Sequence, residues 1–520
     1  MRLTFFDPKK VKASGAGAHE QDQHVFPKVK QCRWWQDPGL LKLNLFLIVP
    51  MSSQFVQGYD GSLVNNLQSL DYWQDFFDHP TGSILGLINA MFFVGGMVST
   101  PFYSWISDRF GRKWCLQVGS LLTIAGALMQ AFANGRALYI VARFILGFGN
   151  SLISIGPVMV AELAYPHHRA LCTALSNTSY SFGSIFSAWA TFGSLHIDSD
   201  WAWRLPSLLQ IAPSIIQTVG IYFLPESPRW LISRDKSDKA LETLIKYHGN
   251  GDHSDPVVKM EFDEILDTLT LEREQSKSSW LDMLKGRGNQ WRTFILFWCG
   301  ACYQLSGNGL ISYYLHTMLN NVGVTSQVEQ TVINATSSMF SFMCSVAFSF
   351  LPAKYGRRRL ILISLVLMWV DFCCLTATTG YFAENPDSSA AAWSAVAFIY
   401  LYNLCHNLGF VGAIMIYMTE IMPYGTRAKG LAFFHFVSGA ATALNTYVNP
   451  VGLEAIDWKY YFVYVGWILV EIAVCYSTFP ETKGPSLEEI ALIFDGDDAA
   501  VAAHIREVSK KEETEHVEVA

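Results

Sequence analysis

Long apolar runs alternate along this chain with short polar connections. A run of about 20 residues is what an α-helix needs to cross the hydrocarbon core of a bilayer. Such runs lie near positions 43–67, 83–105, 114–133, 137–161, 171–195 and 205–224, and again near 292–319, 329–352, 360–382, 391–419, 428–450 and 459–479. Between the two sets, 225–290 mixes apolar and charged residues at helical spacing, as in Ala240-Leu241-Glu242-Thr243-Leu244 and Phe262-Asp263-Glu264-Ile265-Leu266. That spacing predicts short amphipathic helices lying under a membrane bundle. The pattern as a whole predicts an all-α integral membrane protein of twelve transmembrane helices. Its expected divisions are a tail at 1–42, a six-helix half at 43–224, a helical linker at 225–290, a second six-helix half at 291–479 and a tail at 480–520.

Composition agrees, with 51% hydrophobic and only 16% charged residues in 520, more apolar than a soluble protein of this length. Net charge, −7, says little, because charge here is sorted by loop. Lys and Arg crowd the N-terminal tail, Arg109-Phe110-Gly111-Arg112-Lys113, Arg169, the central stretch, Arg357-Arg358-Arg359, Arg427 and Lys429, while 68–80, 320–327 and 384–390 carry none. The positive-inside rule then puts both termini and the linker in the cytosol. Met1 to Trp35 is polar and basic with no apolar core of a cleavable signal, so the first span is expected to direct insertion, into the plasma membrane.

Ten cysteines lie mostly inside apolar runs without metal-ligand spacing and read as small core residues. There is no phosphate-binding Gly-x-x-x-x-Gly-Lys-Ser/Thr, no metal cluster and no catalytic triad, so the sequence predicts neither an enzyme nor a cofactor, and no nucleic-acid partner.

The chain repeats itself. Asp108-Arg109-Phe110-Gly111-Arg112-Lys113 returns as Lys354-Tyr355-Gly356-Arg357-Arg358-Arg359. Ala161-Glu162 returns as Thr419-Glu420, each followed seven residues later by an arginine, Arg169 or Arg427. Pro225-Glu226 returns as Pro480-Glu481. Three pairs at a nearly constant offset point to duplication of a six-span unit.

Polar residues inside the spans mark what the bundle is for. Gln304-Leu305-Ser306-Gly307-Asn308-Gly309-Leu310-Ile311-Ser312-Tyr313-Tyr314 lies within an apolar run, and Gly58-Tyr59-Asp60-Gly61 is read as a matching interruption of the first span. Loosened, polar backbone at mid-depth is tolerated only where it lines protein or water, so both stretches point to a substrate site between the halves of a transporter.

Six motifs in order, Gly58-Tyr59-Asp60-Gly61, Asp108-Arg109-Phe110-Gly111-Arg112-Lys113, Arg143 to Gly149, Pro225 to Trp230, Gln304 to Gly307 and Pro480 to Gly484, carry a family resemblance. From about Leu45 to Ile490 the chain resembles the sugar porter family of the major facilitator superfamily, most of all its fungal branch of lactose permeases, cellodextrin and hexose transporters. The resemblance implies a monomeric transporter working by alternating access, with a sugar, the lipid bilayer and a proton as its partners. The substrate implied is a β-linked disaccharide or a hexose. A facilitative uniporter and a non-transporting sugar sensor are the alternatives.

Residue by residue, Asp60 and Arg143 stand where proton-coupled members place their coupling pair, and a structural ion pair between two helices is the competing reading. Sugar binding needs neutral donors and acceptors with an aromatic face, for which the candidates are Gln57, Asn177, Gln304, Ser306, Asn308, Tyr313, Tyr314, Ser341, Asn407 and Asn445. Each has helix packing as its alternative. Asp108, Arg109, Arg112, Glu162, Arg169, Glu226, Arg229, Arg357, Arg358, Glu420, Arg427 and Glu481 stand where the family builds its cytosolic gate. The chain departs from the hexose pattern at Tyr303, Gly309, Ser341 and Met415, where smaller or softer residues are consistent with a larger cavity.

Overall fold

A computed structural model describes residues 34–275, 280–484 and 487–495; residues 1–33 of the expected tail 1–42 and 496–520 of the expected tail 480–520 lie outside the described residues. The described residues are helical, without strands. The first part holds α1 (Pro38–Leu67), α2 (Asp71–Phe76), α3 (Gly82–Phe110), α4 (Arg112–Ala131), α5 (Arg136–Ile153), α6 (Gly156–Leu163), α7 (Pro166–Ser194), α8 (Trp201–Leu209) and α9 (Ile211–Gly220). Between the halves come α10 (Pro228–Ser233), α11 (Ser237–Tyr247) and α12 (Pro256–Gln275). The second part holds α13 (Arg287–Leu305), α14 (Asn308–Tyr313), α15 (Leu315–Asn320), α16 (Gln327–Phe348), α17 (Leu351–Tyr355), α18 (Arg357–Glu384), α19 (Ser389–His406), α20 (Ala413–Ile421), α21 (Tyr424–Ile456), α22 (Tyr461–Thr478) and α23 (Leu487–Asp495).

Among the described residues, eight segments are long and apolar enough to cross a membrane. They include α1, α3, α4, α5 with α6, α16, α18 and α19 with α20, and the last runs from Gly425 to Thr478, taking in α21 and α22 together. The other expected spans fall on α7, on α8–α9 and on α13–α15, which are more polar or are broken into shorter helices. Large apolar side chains face outward along the bundle, among them Trp105, Trp114, Tyr222 and Phe350.

The repeated motifs have a shared geometry. Gly111 and Gly356 sit at the N-termini of α4 and α18 with φ of 103° and 89°, a region that favours glycine. Beside each, a carboxylate accepts the first free N–H groups of the helix. Glu226 accepts from Arg112 and Lys113 at 3.2 and 3.4 Å, and Glu481 from Arg357 and Arg359 at 3.0 and 3.4 Å. An anion there meets both the orphan N–H groups and the positive end of the helix dipole. The sequence repeat is thus a repeat of two helix caps.

One expectation is corrected here. Helix α1 runs unbroken through Gly58-Tyr59-Asp60-Gly61. Gly58 serves a close crossing instead: a Cβ on it would lie 1.8 Å from the Tyr180 carbonyl oxygen of α7, and one on Gly183 would lie 2.0 Å from that of Phe55. Small residues let two helix backbones touch, as membrane helices commonly do. The second interruption is real, since α13 ends at Leu305 and Gly307 adopts a left-handed φ of 104° before α14.

Helices α10, α11 and α12 pack on one another through Trp230, Leu231, Ile232 and Ala240 and through Leu244, Ile245 and Val258. They are pinned to the first half by buried Glu261 of α12, which accepts from Arg169 at 2.9 Å and meets Nδ1 of buried His248 at 2.6 Å. Nε2 of His248 lies 3.2 Å from the Leu163 carbonyl. Both ring nitrogens of His248 are thus engaged with oxygen atoms, one on the linker and one on the first half.

Candidate functional site

Asp60 of α1 and Arg143 of α5 are both buried at the centre of the first half. They do not form the expected ion pair. Asp60 Oδ2 accepts a short hydrogen bond from Nδ2 of Asn150, one turn pair along α5 from Arg143, while Oδ1 is unpartnered. Arg143 instead donates from Nη1 to the Asp60 backbone carbonyl at 3.5 Å and lies over the Phe92 ring, 4.5 Å from its centre. Its Nε has no partner. A cation on an aromatic face is stabilised without a counter-ion, which leaves the carboxylate free to change partners. Gln57, one turn before Asp60, donates to the Asn150 carbonyl at 3.1 Å.

Across the interface, the break in α13–α14 presents its polar groups in two directions. Gln304 donates to Ser438 at 3.3 Å, and its carbonyl accepts from Asn445 at 2.8 Å. Asn308 accepts from Ser312 at 2.9 Å. Tyr313 is half-buried, with its ring 5.3 Å from that of Phe93 of the first half. Ser306 points the other way, into α22, where its hydroxyl meets Glu471 at 2.7 Å. Tyr314 is also turned away, its hydroxyl bonded to the Thr446 carbonyl. These two are therefore placed behind the interface, because a helix break fixes only the backbone turn and the neighbouring helices decide which side chains face the gap.

Two further candidates meet each other. Asn407 donates to Ser341 at 3.0 Å and to the Asn403 carbonyl at 2.7 Å. Asn407 opens a π-turn, Asn407–Val411, set between α19 and α20, a local widening often found at functional sites. Asn445 also accepts from Tyr464 at 2.7 Å. Asn177 is exposed on α7, one turn before Tyr180 on the same face. Tyr180 itself was not anticipated; its hydroxyl lies beside Gly61 of α1, 3.4 Å from where a Cβ on that glycine would stand.

The charged motifs pair within each half. Arg112 contacts Glu162 through both Nε and Nη2 at 3.1 Å and lies 3.8 Å from Asp108, and Arg357 contacts Glu420 at 2.6 Å. The Asp108 carbonyl accepts from Trp230 and Arg234, and Arg358 donates to the Tyr476 carbonyl at 2.7 Å. Arg169 turns to Glu261 of the linker rather than to Glu162, and Arg427 donates to the Met422 carbonyl at 3.4 Å. Arg109 lies 6.0 Å from the Phe110 ring centre, and Arg229 lines a cavity of about 290 Å³ with Asp108, Arg112, Trp230 and Arg234.

Hydrogen bonds that join the halves gather at the opposite end. Asn334 of α16 donates to Asn66 at 2.6 Å and accepts from Asn65 at 3.3 Å, while Gln68 donates to the Tyr313 carbonyl at 3.0 Å. Thr81 donates to Glu454 at 2.8 Å on the rim. These bonds tie the two halves together there.

Sequence reasoning also missed Glu471 of α22 and Asp371 of α18, both buried. The signal was present: each is a lone acid inside an apolar run, Val470-Glu471-Ile472 and Val370-Asp371-Phe372. No group of His, Cys, Asp and Glu suited to a metal ion occurs among the described residues.

Comparison with known proteins extends this geometry. The chain is 29% identical over 469 residues to an MFS glucose transporter of Aspergillus flavus, covering 84% of this chain and 87% of the relative. It is 27% identical over 474 residues to a high-affinity glucose transporter of Kluyveromyces lactis, covering 86% and 84% respectively. The fold matches an inward-open xylose transporter from E. coli with a TM-score of 0.71 at 19% identity, over 87% of this chain and all of that one. Residues 45–494 match the Sugar (and other) transporter family. That span holds the helical halves and every candidate residue named above, and the protein belongs to this family of transporters, not to an enzyme family.

Proposed function

We propose that the protein takes up a sugar across the plasma membrane by alternating access, coupled to a proton, through twelve spans with both termini and α10–α12 in the cytosol. A hexose is the substrate favoured by the relatives' names, with a β-linked disaccharide next, the reading to which the departures from the hexose pattern at Tyr303, Gly309, Ser341 and Met415 lend support. The basic motifs then mark the cytosolic end. Closure through Asn65, Asn66, Asn334 and Tyr313 at the other end corresponds to an inward-facing state. In that state the Arg112–Glu162 and Arg357–Glu420 pairs stay within their own halves, and they would gather across the interface when the inner gate shuts.

The observation that carries the coupling is Asp60: fully buried, one oxygen unpartnered, with Arg143 resting on its backbone carbonyl and on Phe92. A proton on Asp60 suits this arrangement, and its release would draw Arg143 to the carboxylate. A proton falling through about 150–200 mV supplies roughly 3.5–4.6 kcal/mol, enough to concentrate sugar several hundredfold. Gln57, Asn177, Gln304, Asn308, Tyr313, Ser341, Asn407 and Asn445 would line the path of the sugar. A facilitative uniporter is the second reading, favoured by the Asn150–Asp60 bond, which gives the carboxylate a structural partner.

The experiment is uptake of labelled glucose, lactose and cellobiose by transport-deficient yeast expressing the chain, with and without an uncoupler and at several pH values. Uptake that collapses with the uncoupler fits symport; uptake indifferent to it makes the protein a uniporter. Absence of uptake with sugar binding retained makes it a sensor.

A further inference from the structure

Glu471 lies on α22 with no solvent exposure, against the break in α13–α14. Its Oε1 accepts from Nε1 of Trp467 at 2.7 Å. Its Oε2 is 2.7 Å from Oγ of Ser306, and that same Oγ is 2.5 Å from the Cys302 carbonyl oxygen. Three oxygens thus stand in a row with two hydrogen-bonding gaps. The serine hydroxyl fills one gap and a carbonyl can fill none. The second gap needs another hydrogen, and only the acid can supply it.

We infer that Glu471 is a second proton-binding residue, whose acid form donates to Ser306 while Ser306 donates to the Cys302 carbonyl, closing the last turn of α13. Loss of the proton turns the serine hydroxyl to the carboxylate and frees that carbonyl. The two hydrogen-bond patterns are therefore two states of the turn that carries Gln304 and Asn308. The groups that face Glu471 offer no positive charge to hold it ionised: Cys302 comes from the last turn of α13 and Ser306 from the break that follows it, Trp467 and Cys475 from its own helix, and Tyr402 from α19, with Asp371 of α18 beyond Tyr402. Of the two arginines of α13, Arg287 opens the helix at the end away from Glu471 and Arg292 is committed to Asp495 at 2.7 Å. An unpaired carboxylate buried among neutral groups is strongly disfavoured, so the geometry and the surroundings agree.

The transport consequence rests on the proposed sugar uptake, but the proton on Glu471 does not. The test is infrared spectroscopy of the purified full-length protein in the carboxylic-acid C=O stretching region, comparing wild type with E471Q, D371N and D60N. Glutamine keeps a donor toward Ser306 and is expected to fold. A band present at neutral pH in the wild type, D371N and D60N and missing from E471Q is the expected result; identical spectra for wild type and E471Q overturn the inference. S306A gives an independent arm, in which the same band shifts because the acid has lost its acceptor, and an unshifted band likewise counts against it. In liposomes, E471Q is expected to keep downhill glucose exchange while losing part of the pH dependence of exchange, and an unchanged pH profile removes any role in the cycle. A wild-type protein that moves no sugar sinks the uptake reading, while the spectra still decide this one.

Discussion

Arg143 lies beside Asp60 without pairing with its carboxylate: the guanidinium donates to the Asp60 backbone carbonyl at 3.5 Å and rests on Phe92, while Asn150 holds one carboxylate oxygen. Two opposite charges brought this close in a low-dielectric interior are drawn together unless one is neutral. The proposed proton on Asp60, together with the Phe92 contact of Arg143, would account for the unmade pair.

Asp60→Asn removes that titration and keeps the shape. Accumulation of sugar against a gradient is expected to vanish, with downhill exchange retained within about threefold of wild type. Arg143→Leu is expected to be harsher, because it strips the buried site of its cation and of the Phe92 contact, worth about 0.5–2 kcal/mol. Alkalinisation of the medium on sugar addition, measured beside counterflow in liposomes, checks both. Sugar-driven alkalinisation surviving in Asp60→Asn would assign the proton elsewhere.

Asn334 holds the closed end through Asn65 and Asn66. Each buried hydrogen bond contributes about 0.5–1.5 kcal/mol net, so Asn334→Ala is expected to shift the balance of the two facing states about tenfold toward opening at that end. Spin labels on exposed Tyr72 and Val328, one in each half, report it as a longer inter-label distance. An unchanged distance distribution means that the asparagine cluster does not set the equilibrium.

Gly111 is expected to tolerate no side chain. At φ 103° a Cβ is strained by about 1–3 kcal/mol and would meet Oε2 of Glu226 at 2.5 Å. Gly111→Ala should lower the unfolding temperature in detergent, and Gly356→Ala should do the same in the second half, where Glu481 stands 2.8 Å away. Gly135→Ala is the control, since its backbone is extended at φ 172° and no atom lies within 4 Å of the added Cβ. Equal stability of all three variants would refute the capping role.

Burial pushes the Glu226 carboxyl above its ordinary value of 4.5, although bonds from the Ser227, Lys113 and Arg112 N–H groups pull it down. A carboxyl raised on folding binds its proton more tightly in the folded chain. Its contribution is therefore most favourable below the unfolded value and is lost as pH rises through the folded one. Glu226→Gln carries no such titration. The unfolding temperature of Glu226→Gln relative to wild type is expected to rise with pH from about 4 upward; a difference that falls over that range would reverse the sign of the argument.

The sequence by itself determined the helical class, the duplication, the basic end and the break at Ser306-Gly307. Each follows from local chemistry. Apolar runs have no other solvent than lipid, repeated glycine and carboxylate positions repeat a cap, and a left-handed turn needs glycine. Local chemistry also left visible the acids in α18 and α22, Asp371 and Glu471, whose lone charges in apolar runs are as conspicuous as Asp60.

Tertiary structure alone decided where those side chains meet. Gly58-Tyr59-Asp60-Gly61 reads as a break, yet α1 stays intact there, because the backbone of α7 at Tyr180 fills the space that a Cβ would need. Ser306 and Tyr314 share a motif with Gln304 and Asn308 but turn to α22 and α21, since rotation about a helix axis is set by the neighbours it packs against and not by spacing along the chain. Arg169, seven residues from Glu162 in sequence, pairs with Glu261 nearly a hundred residues on, because the linker helices fold back under the first half. Long-range partners of this kind depend on which helices the fold brings together, and the order of residues records that only after the chain has folded.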